Sequence, residues 1–241
     1  MKFTKEQKEA LWADFKDMTL AEKADYVFYY YKWPIILAII TIIIIVSSIV
    51  RTVSKKNDAL YLAAVNVSLG SGTESVLTKD FINYEGLDEK RNLVYLYAAL
   101  YLSDDPSEVD HEYAYASRMK TMAAVNAEKL DLFLMNKEGY DLLSQSGYLA
   151  RLDEILPDTL LEEAAPYLTE NEVIIEDNKL DVLLDESKER HTVTEPMVNA
   201  VLVSGLRSLE EAGFAGDVYI GAAVNSPRLD MVRDYIEYII H

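Results

Sequence analysis

The hydrophobic pattern of the chain is dominated by one apolar run, Trp33 to Val50, that contains no charged side chain. Its isoleucines follow neither a helical nor a strand period, so the run has no polar face to turn toward water. A helix needs about 20 mostly apolar residues to cross the hydrocarbon core of a bilayer. The run reaches that length together with the aromatic residues before it, and it predicts one transmembrane helix at residues 33–51.

Two other interpretations of this run are a buried helix of a soluble core and a cleaved signal peptide. No other segment is apolar enough to surround such a helix. A signal peptide has a short charged region before its apolar part and a small-residue cleavage site after it, and this chain has neither. Lys32, Arg51, Lys55 and Lys56 flank the run and tyrosines 29–31 precede it, as is typical of the two membrane interfaces. We therefore expect an uncleaved anchor.

The segment before the run, residues 1–32, follows an amphipathic helical pattern. Thr4 and Thr19 each begin a capping-box sequence, which predicts a short helix near 5–17, a break at Met18, and a second helix that continues into the membrane. The segment is expected to be either a surface-lying or partner-docking element or a spacer. Pro34 is expected either to kink the helix or to lie in its first turn.

Beyond a polar linker at residues 52–58, apolar runs alternate with helical patterns, which predicts an α/β domain at residues 59–241. Strands are expected near 60–67, 93–102, 130–135, 173–175, 181–184 and 218–224, and helices near 73–83, 109–127, 137–146, 207–212 and at the C-terminus. Residues 198–203 fit a strand or a helix, because six apolar residues alone do not decide between them. Thr73 and Ser226 are the expected N-caps of the helices that follow them.

Charge is distributed unevenly along the chain. Residues 1–56 carry nine basic and six acidic side chains, whereas residues 57–241 carry 14 basic and 35 acidic ones. So acidic a domain repels nucleic acid, and no nucleic-acid partner is expected. Three Lys or Arg lie near each end of the apolar run; Lys2, Lys5 and Lys8 then favour a cytoplasmic N-terminus and an extracellular domain.

No motif in the chain predicts an enzyme. There is no cysteine, and the three histidines, at 111, 191 and 241, lack the spacing of metal ligands. Residues 70–73 (GSGT) lack the lysine of a P-loop, and the acidic runs near 104–112 and 170–177 lack the frame of an EF-hand. No Ser-His-Asp arrangement can be assigned. We expect no catalytic residue, no cofactor and no metal.

Polar residues that follow the predicted strands are the candidates for a binding cleft, because ligands of open α/β sheets lie beyond the carboxyl ends of the strands. The candidates are Ser71, Thr73, Asn136, Asn225 and Ser226. The glycosylation sequon at residues 66–68 (NVS) is expected inside the first buried strand, so we discount it as a glycan site.

Two patches of the chain resemble extracellular solute-binding proteins. EKLDLFLMNKE at 128–138, followed by YLARLDEIL at 148–156, is similar to their Asp-hydrophobic strand, helix and Gly-hydrophobic-x-x-Leu-Asp-Glu segment. VYIGAAVNSPRLDMVRDYIEYII at 218–240 is similar to their strand, Asn-Ser pair and aromatic-rich helix. The resemblance implies a reduced periplasmic-binding-protein-like fold of the second type, with two α/β lobes and a cleft between them. The layout of the chain resembles that of membrane-anchored proteins of Gram-positive bacteria.

These observations together predict a single-pass, membrane-anchored, non-catalytic module with an extracellular α/β domain. Its expected partners are the lipid bilayer and either a small solute or a membrane protein, in an accessory or sensory role. The alternative is a structural or regulatory subunit of a membrane complex, with a vestigial cleft and with contacts made by residues 1–32 and the transmembrane helix.

Overall fold

The structure is a computed structural model that describes residues 18–54, 56–104, 111–178, 189, 191–212, 214 and 216–241. The chain divides into two compact units, Met1–Lys55 and Lys56–His241. The predicted short helix near 5–17 and the predicted strand near 181–184 lie outside the described residues.

The first unit contains a 35-residue helix, α1 (Leu20–Ser54). It begins where the capping box predicted: the Thr19 N–H and hydroxyl each donate to the Glu22 carboxylate at 2.9 Å, and the Glu22 N–H donates to Thr19 Oγ1 at 3.4 Å. Pro34 lies in the helix interior rather than in the first turn. The stretch Lys32–Val50 has a mean hydropathy of 2.8, and none of it is buried within the described chain. It is compatible with a single membrane anchor or with a signal sequence.

The second unit is built on one six-stranded mixed sheet in the order β2-β1-β3-β6-β5-β4. The strands are β1 (Asn57–Val65), β2 (Asn92–Leu100), β3 (Leu132–Asn136), β4 (Leu168–Asp177), β5 (Thr192–Leu202) and β6 (Val218–Ala222). β1 pairs in parallel with β2 and β3, whereas β6 runs antiparallel to β3 and β5, and β4 runs antiparallel to β5. Most of the ambiguous segment 198–203 therefore belongs to a strand, β5, which pairs on both sides.

Helices connect and cover these strands. A continuous helical segment between β1 and β2 consists of α2 (Ser71–Ser75), a π-helical turn (Val76–Asp80) and α3 (Phe81–Tyr84). The others are α4 (His111–Asn126), α5 (Lys137–Gln145), α6 (Leu152–Ile155), α7 (Asp158–Ala164), a 3₁₀ helix (Arg207–Ala212) and α8 (Leu229–Ile240). α8 is held against the π-helical turn, because the Tyr235 and Tyr238 hydroxyls donate to the Leu77 and Val76 carbonyls at 2.9 Å.

The central strands are buried on both faces, since successive side chains of a strand point to opposite sides of the sheet. On one face Leu62 packs with Phe81 and with Tyr235 of α8, whose rings meet edge to face at 4.7 Å. On the other face Val65 and Phe133 pack against α4 and α5. The predicted mixed α/β class is confirmed. A second sheet, which a two-lobed fold requires, is not found in the described part of this unit.

Two predicted helix caps are wrong. α2 begins at Ser71 with Gly70 in the N-cap position, so Thr73 lies inside the helix. α8 begins at Leu229 with Arg228 in the N-cap position. The Ser226 hydroxyl is occupied elsewhere, because it donates to Asp131 at 2.6 Å and accepts from the Arg228 N–H at 3.2 Å.

Candidate functional site

A pocket of about 460 Å³ lies at the carboxyl ends of β1 and β3. The order of strand addition reverses here, because β2 and β3 lie on opposite sides of β1. Ligands of open α/β sheets bind in the crevice at such a reversal, and pockets for small molecules measure about 300–1,000 Å³. The wall of this pocket is formed by the residues after β1 and β3 and by those that lead into β6: Asn66, Val67, Ser68, Asn136, Lys137, Phe214, Gly216, Asp217 and Val218.

Asn66 shapes one side of this pocket. It follows β1 in a left-handed conformation, with φ of 56°. Its side-chain amide donates to the Leu102 carbonyl at 2.7 Å and accepts from the Leu102 N–H at 2.8 Å. These bonds tie the end of β1 to the chain beyond β2. The sequence had suggested that the sequon at residues 66–68 lies inside the first strand. It lies after that strand, because β1 ends at Val65.

The N-terminus of α5 forms the second side of the pocket. Asn136 caps this helix, and its side-chain oxygen accepts from the Gly139 N–H at 2.9 Å. Lys137 pairs with Asp141. The wall therefore combines amide and hydroxyl groups with one ammonium and one carboxylate, that of Asp217. Such a lining suits a small polar solute that has both hydrogen-bond donors and acceptors.

A buried hydrogen-bond network holds α5 on β4 and β5. The Tyr140 hydroxyl donates to Asn199 Oδ1 at 2.7 Å, and Asn199 Nδ2 donates to Ser144 Oγ at 2.8 Å. The Ser144 hydroxyl in turn donates to the Glu172 carbonyl at 3.3 Å. Burial raises the pKa of the Tyr140 hydroxyl and that of Tyr219, on which it stacks at 4.7 Å. Tyr140 therefore stays protonated as a donor and keeps the pocket end of α5 in place.

Of the five predicted site residues, Asn136 lies in the wall of the pocket. Ser71 and Thr73 belong to α2, and Thr73 is buried there. Asn225 and Ser226 follow β6, which is antiparallel to β3, so they lie at the end of the strands opposite the pocket. Asn225 donates to the Val125 carbonyl at 2.7 Å. The rule of strand carboxyl ends groups residues only when the strands are parallel, and β6 is not parallel to its neighbours.

A buried polar centre at Asp131, which was not predicted from the sequence, lies at that opposite end of the strands. The fully buried Asp131 carboxylate accepts from the Tyr61 N–H at 2.7 Å, the Ser226 hydroxyl at 2.6 Å and Arg228 Nε at 2.8 Å. The Arg228 guanidinium also donates to the Glu128 carbonyl at 2.8 Å and lies 4.6 Å from the centre of the Tyr61 ring. This Asp131 cluster joins β1, the start of β3 and the turn before α8.

A signal for the Asp131 cluster was present in the sequence. Asp131 lies between two leucines of a predicted buried strand, and a buried carboxylate requires a partner. Its partners Ser226 and Arg228 lie in the second of the two patches that resemble solute-binding proteins. Burial, and then the hydrogen bond to Asp58, raises the pKa of Tyr61 to about 12, so this ring stays neutral beneath the guanidinium.

Within the described residues, no group of three or more His, Cys, Asp or Glu could hold a metal ion. His241 lies 3.2 Å from the Glu163 carboxylate, at the end of the chain. The expectation that the chain has no catalytic residue, cofactor or metal stays a prediction.

Asp234 on α8 is expected to make the domain less stable at neutral than at acidic pH. Burial, and then the Glu237 and Asp230 carboxylates, raise the pKa of Asp234, against the opposite effect of Arg233. A carboxyl with a raised pKa holds its proton more tightly in the folded state, so its ionisation as the pH rises above 3.8 opposes folding. We expect Asp234→Asn to raise the free energy of unfolding at pH 7 by roughly 0.5 kcal/mol, solvent screening included. This gain in stability should disappear below pH 4. Urea unfolding of both proteins at pH 7 and below pH 4 measures it, and an equal gain at the two pH values would contradict the raised pKa of Asp234.

Comparison of the chain with protein-family models, with curated proteins and with solved structures finds no match.

Proposed function

We propose that this chain is a single-pass membrane protein whose α/β domain binds a small polar solute without catalysis. The observation that supports this most is the pocket at the reversal of strand order, where the loop after β1 and the N-terminus of α5 converge. Its volume falls within the range of small-molecule sites, and it offers amide, hydroxyl and charged groups beside Phe214 and Val218.

The likeness to extracellular solute-binding proteins remains part of this proposal, in a modified form. A cleft between two lobes encloses its ligand from both sides. The described residues of the second unit form one sheet, so the proposed site is an open pocket at a single sheet edge. An open pocket buries less of its ligand, and we expect weaker binding than a closing cleft gives.

Binding of the right solute should stabilise the domain by about 2.7 kcal/mol at a hundredfold excess over its Kd. Thermal unfolding of the full-length chain in detergent, followed by far-UV circular dichroism, is suited to a screen of sugars, amino acids and metal ions. The two tryptophans, Trp12 and Trp33, both lie outside the domain, so their fluorescence does not report on it. Phe214→Trp places a fluorescent reporter in the pocket wall, and the same solute should change its emission.

Two matched variants test where the solute binds. Asp217→Asn removes a charge from the pocket wall and should reduce the thermal shift. Asp88→Asn removes the same charge just before β2, at the end of the strands opposite the pocket, and should leave the thermal shift unchanged. A shift reduced equally in both variants places the site elsewhere. No shift with any solute, together with a co-purifying membrane protein that is lost on deletion of residues 1–32, favours the subunit of a membrane complex.

We further infer that α1 is an uncleaved anchor, with the N-terminus in the cytoplasm and the domain outside. Because the chain has no cysteine, single cysteines can be labelled without background. On intact cells, Lys79→Cys should react with a membrane-impermeant maleimide, and Lys2→Cys only after permeabilisation. The full-length chain should stay in the membrane pellet after alkaline extraction. Release of a fragment that lacks α1 would identify a signal sequence, and the reverse labelling pattern would reverse the orientation.

A further inference from the structure

The two edge strands of the sheet are protected differently. β4 carries four carboxylates, and α5 covers part of its edge, because the Ser144 hydroxyl donates to the Glu172 carbonyl and the Tyr140 hydroxyl lies 3.2 Å from the Thr169 carbonyl oxygen. β2, at the other end of the sheet, reads NLVYLYAAL and has neither a charged residue nor a proline. Charges, prolines and covering groups are the devices that keep natural sheets from pairing edge to edge. β2 lacks charges and prolines along its nine residues. Its carboxyl end is partly protected, because the Tyr113 hydroxyl of α4 donates to the Ala99 carbonyl and the register with β1 shifts between Tyr97 and Leu100.

The helix next to β2 exposes apolar side chains. On α4, Tyr115 is 67 % exposed and Met119, one turn further along, is 41 % exposed; Tyr95 on β2 is 44 % exposed. Seven large hydrophobic side chains are exposed in the described part of the second unit, and four of them lie on β2 and α4. Lys120 Nζ of α4 lies 5.3 Å from the centre of the Tyr97 ring of β2. The two elements thus form one surface, which we name the β2–α4 surface.

We propose that the β2–α4 surface is the interface between two copies of this chain, joined by antiparallel pairing of their β2 strands. A two-fold axis perpendicular to the sheet brings the two β2 strands side by side. The same axis keeps both α4 helices on one face, next to each other. A single contact therefore covers the exposed helix face and the strand edge before Ala99, and each strand satisfies the outward N–H and C=O groups of the other there.

Charge supports a second copy as the occupant of this surface. Residues 57–241 carry 35 acidic and 14 basic side chains, so two copies repel each other over most of their surface. β2 has no charge, and α4 carries Arg118 and Lys120 against Glu112, so these two elements add no net repulsion of their own; the acidic residues 104–110 join them in the chain. The side chains exposed there are tyrosines and a methionine, which are types enriched in the cores of protein interfaces.

Disulfide trapping in a chain without native cysteine tests the interface directly. Single-cysteine variants Tyr95→Cys, Tyr115→Cys and Met119→Cys of the full-length chain are oxidised in native membranes. A disulfide forms only where two Cα atoms come within about 7 Å, and we expect a covalent dimer from at least one α4 position. Ile175→Cys and Val224→Cys are matched controls, 53 % and 55 % exposed, and should give only background dimer. Equal trapping at the controls, no trapping at β2 or α4, or trapping to a different polypeptide overturns the proposal.

A second measurement uses a charge in place of a cysteine. Met119→Lys should raise the dissociation constant of the dimer in detergent by about 10-fold or more, measured by light scattering across a concentration series. Ile175→Lys introduces the same charge on the other edge strand and should leave that constant unchanged. Circular dichroism shows whether each variant is folded. Equal dimerisation of both folded variants, or a monomeric wild type at every concentration, contradicts the proposed interface.

Discussion

Removal of the Asp131 carboxylate is expected to lower the free energy of unfolding by about 3–5 kcal/mol, the range for a buried ion pair that loses one partner. In Asp131→Ala, the Tyr61 N–H and the Ser226 hydroxyl lose their acceptor, and Arg228 loses its counter-ion. Native domains are stable by only about 5–15 kcal/mol. The variant should therefore unfold at far lower urea concentration, as far-UV circular dichroism of the full-length chain in detergent will measure.

The matched control for this substitution is Asp153→Ala. Asp153 also pairs with an arginine, Arg151, at 2.8 Å, but the two side chains are 41 % and 33 % exposed, whereas that of Asp131 is 0 % exposed. Solvent screens an exposed ion pair, and the released groups can hydrogen-bond to water. We expect Asp153→Ala to lower the free energy of unfolding by only a small fraction of the amount that Asp131→Ala does. Similar losses in the two variants would show that burial of Asp131 is not what makes its cluster stabilising.

Gly221→Ala is expected to destabilise the domain by about 1–3 kcal/mol, as other substitutions that overfill a packed interior do. A Cβ at Gly221 would lie 2.8 Å from the Asn199 carbonyl oxygen, 3.0 Å from Met135 Cε and 3.1 Å from Leu149 Cδ2. The nearest of these atoms belongs to the backbone of β5, which no side-chain rotation can move. β5 and β6 must separate to admit the methyl group. The same movement strains the Asn199 network that holds α5 against the sheet.

Gly70→Ala is the control for the added methyl group. Gly70 precedes α2 with a negative φ of −76°, and no atom lies within 4 Å of the position that its Cβ would take. We expect the free energy of unfolding to change by no more than about 0.5 kcal/mol, as at an ordinary surface position. If the two variants were equally stable, the close approach of β5 and β6 at Gly221 would not limit the side chain there.

Local structure follows from the sequence where a few neighbouring residues suffice to decide it. The start of α1 is an example, because Thr19 and Glu22 form a capping box within four residues. β1 and β3 are others, because unbroken apolar runs of this length are buried as strands in a sheet covered on both faces. The cap predicted at Thr73 failed because α2 begins at Ser71. The cap predicted at Ser226 failed because a hydroxyl caps a helix only if no other partner competes for it. Asp131 is that competitor at Ser226.

The sequence by itself determined the apolar helix, the α/β class and the acidic charge of the second unit, since each depends on composition or on short-range pattern. The tertiary structure alone decided which polar residues share an edge of the sheet. Asn136 lies with Asn66 and Asp217 in the pocket wall, whereas Asn225 lies at the opposite end of the strands, because β6 runs antiparallel to β3. Any strand can offer the backbone hydrogen bonds of a sheet, so order and direction are set by the packing of faces that are distant in the chain. For the same reason Asp131 and Arg228, 97 residues apart, become partners only in the folded domain.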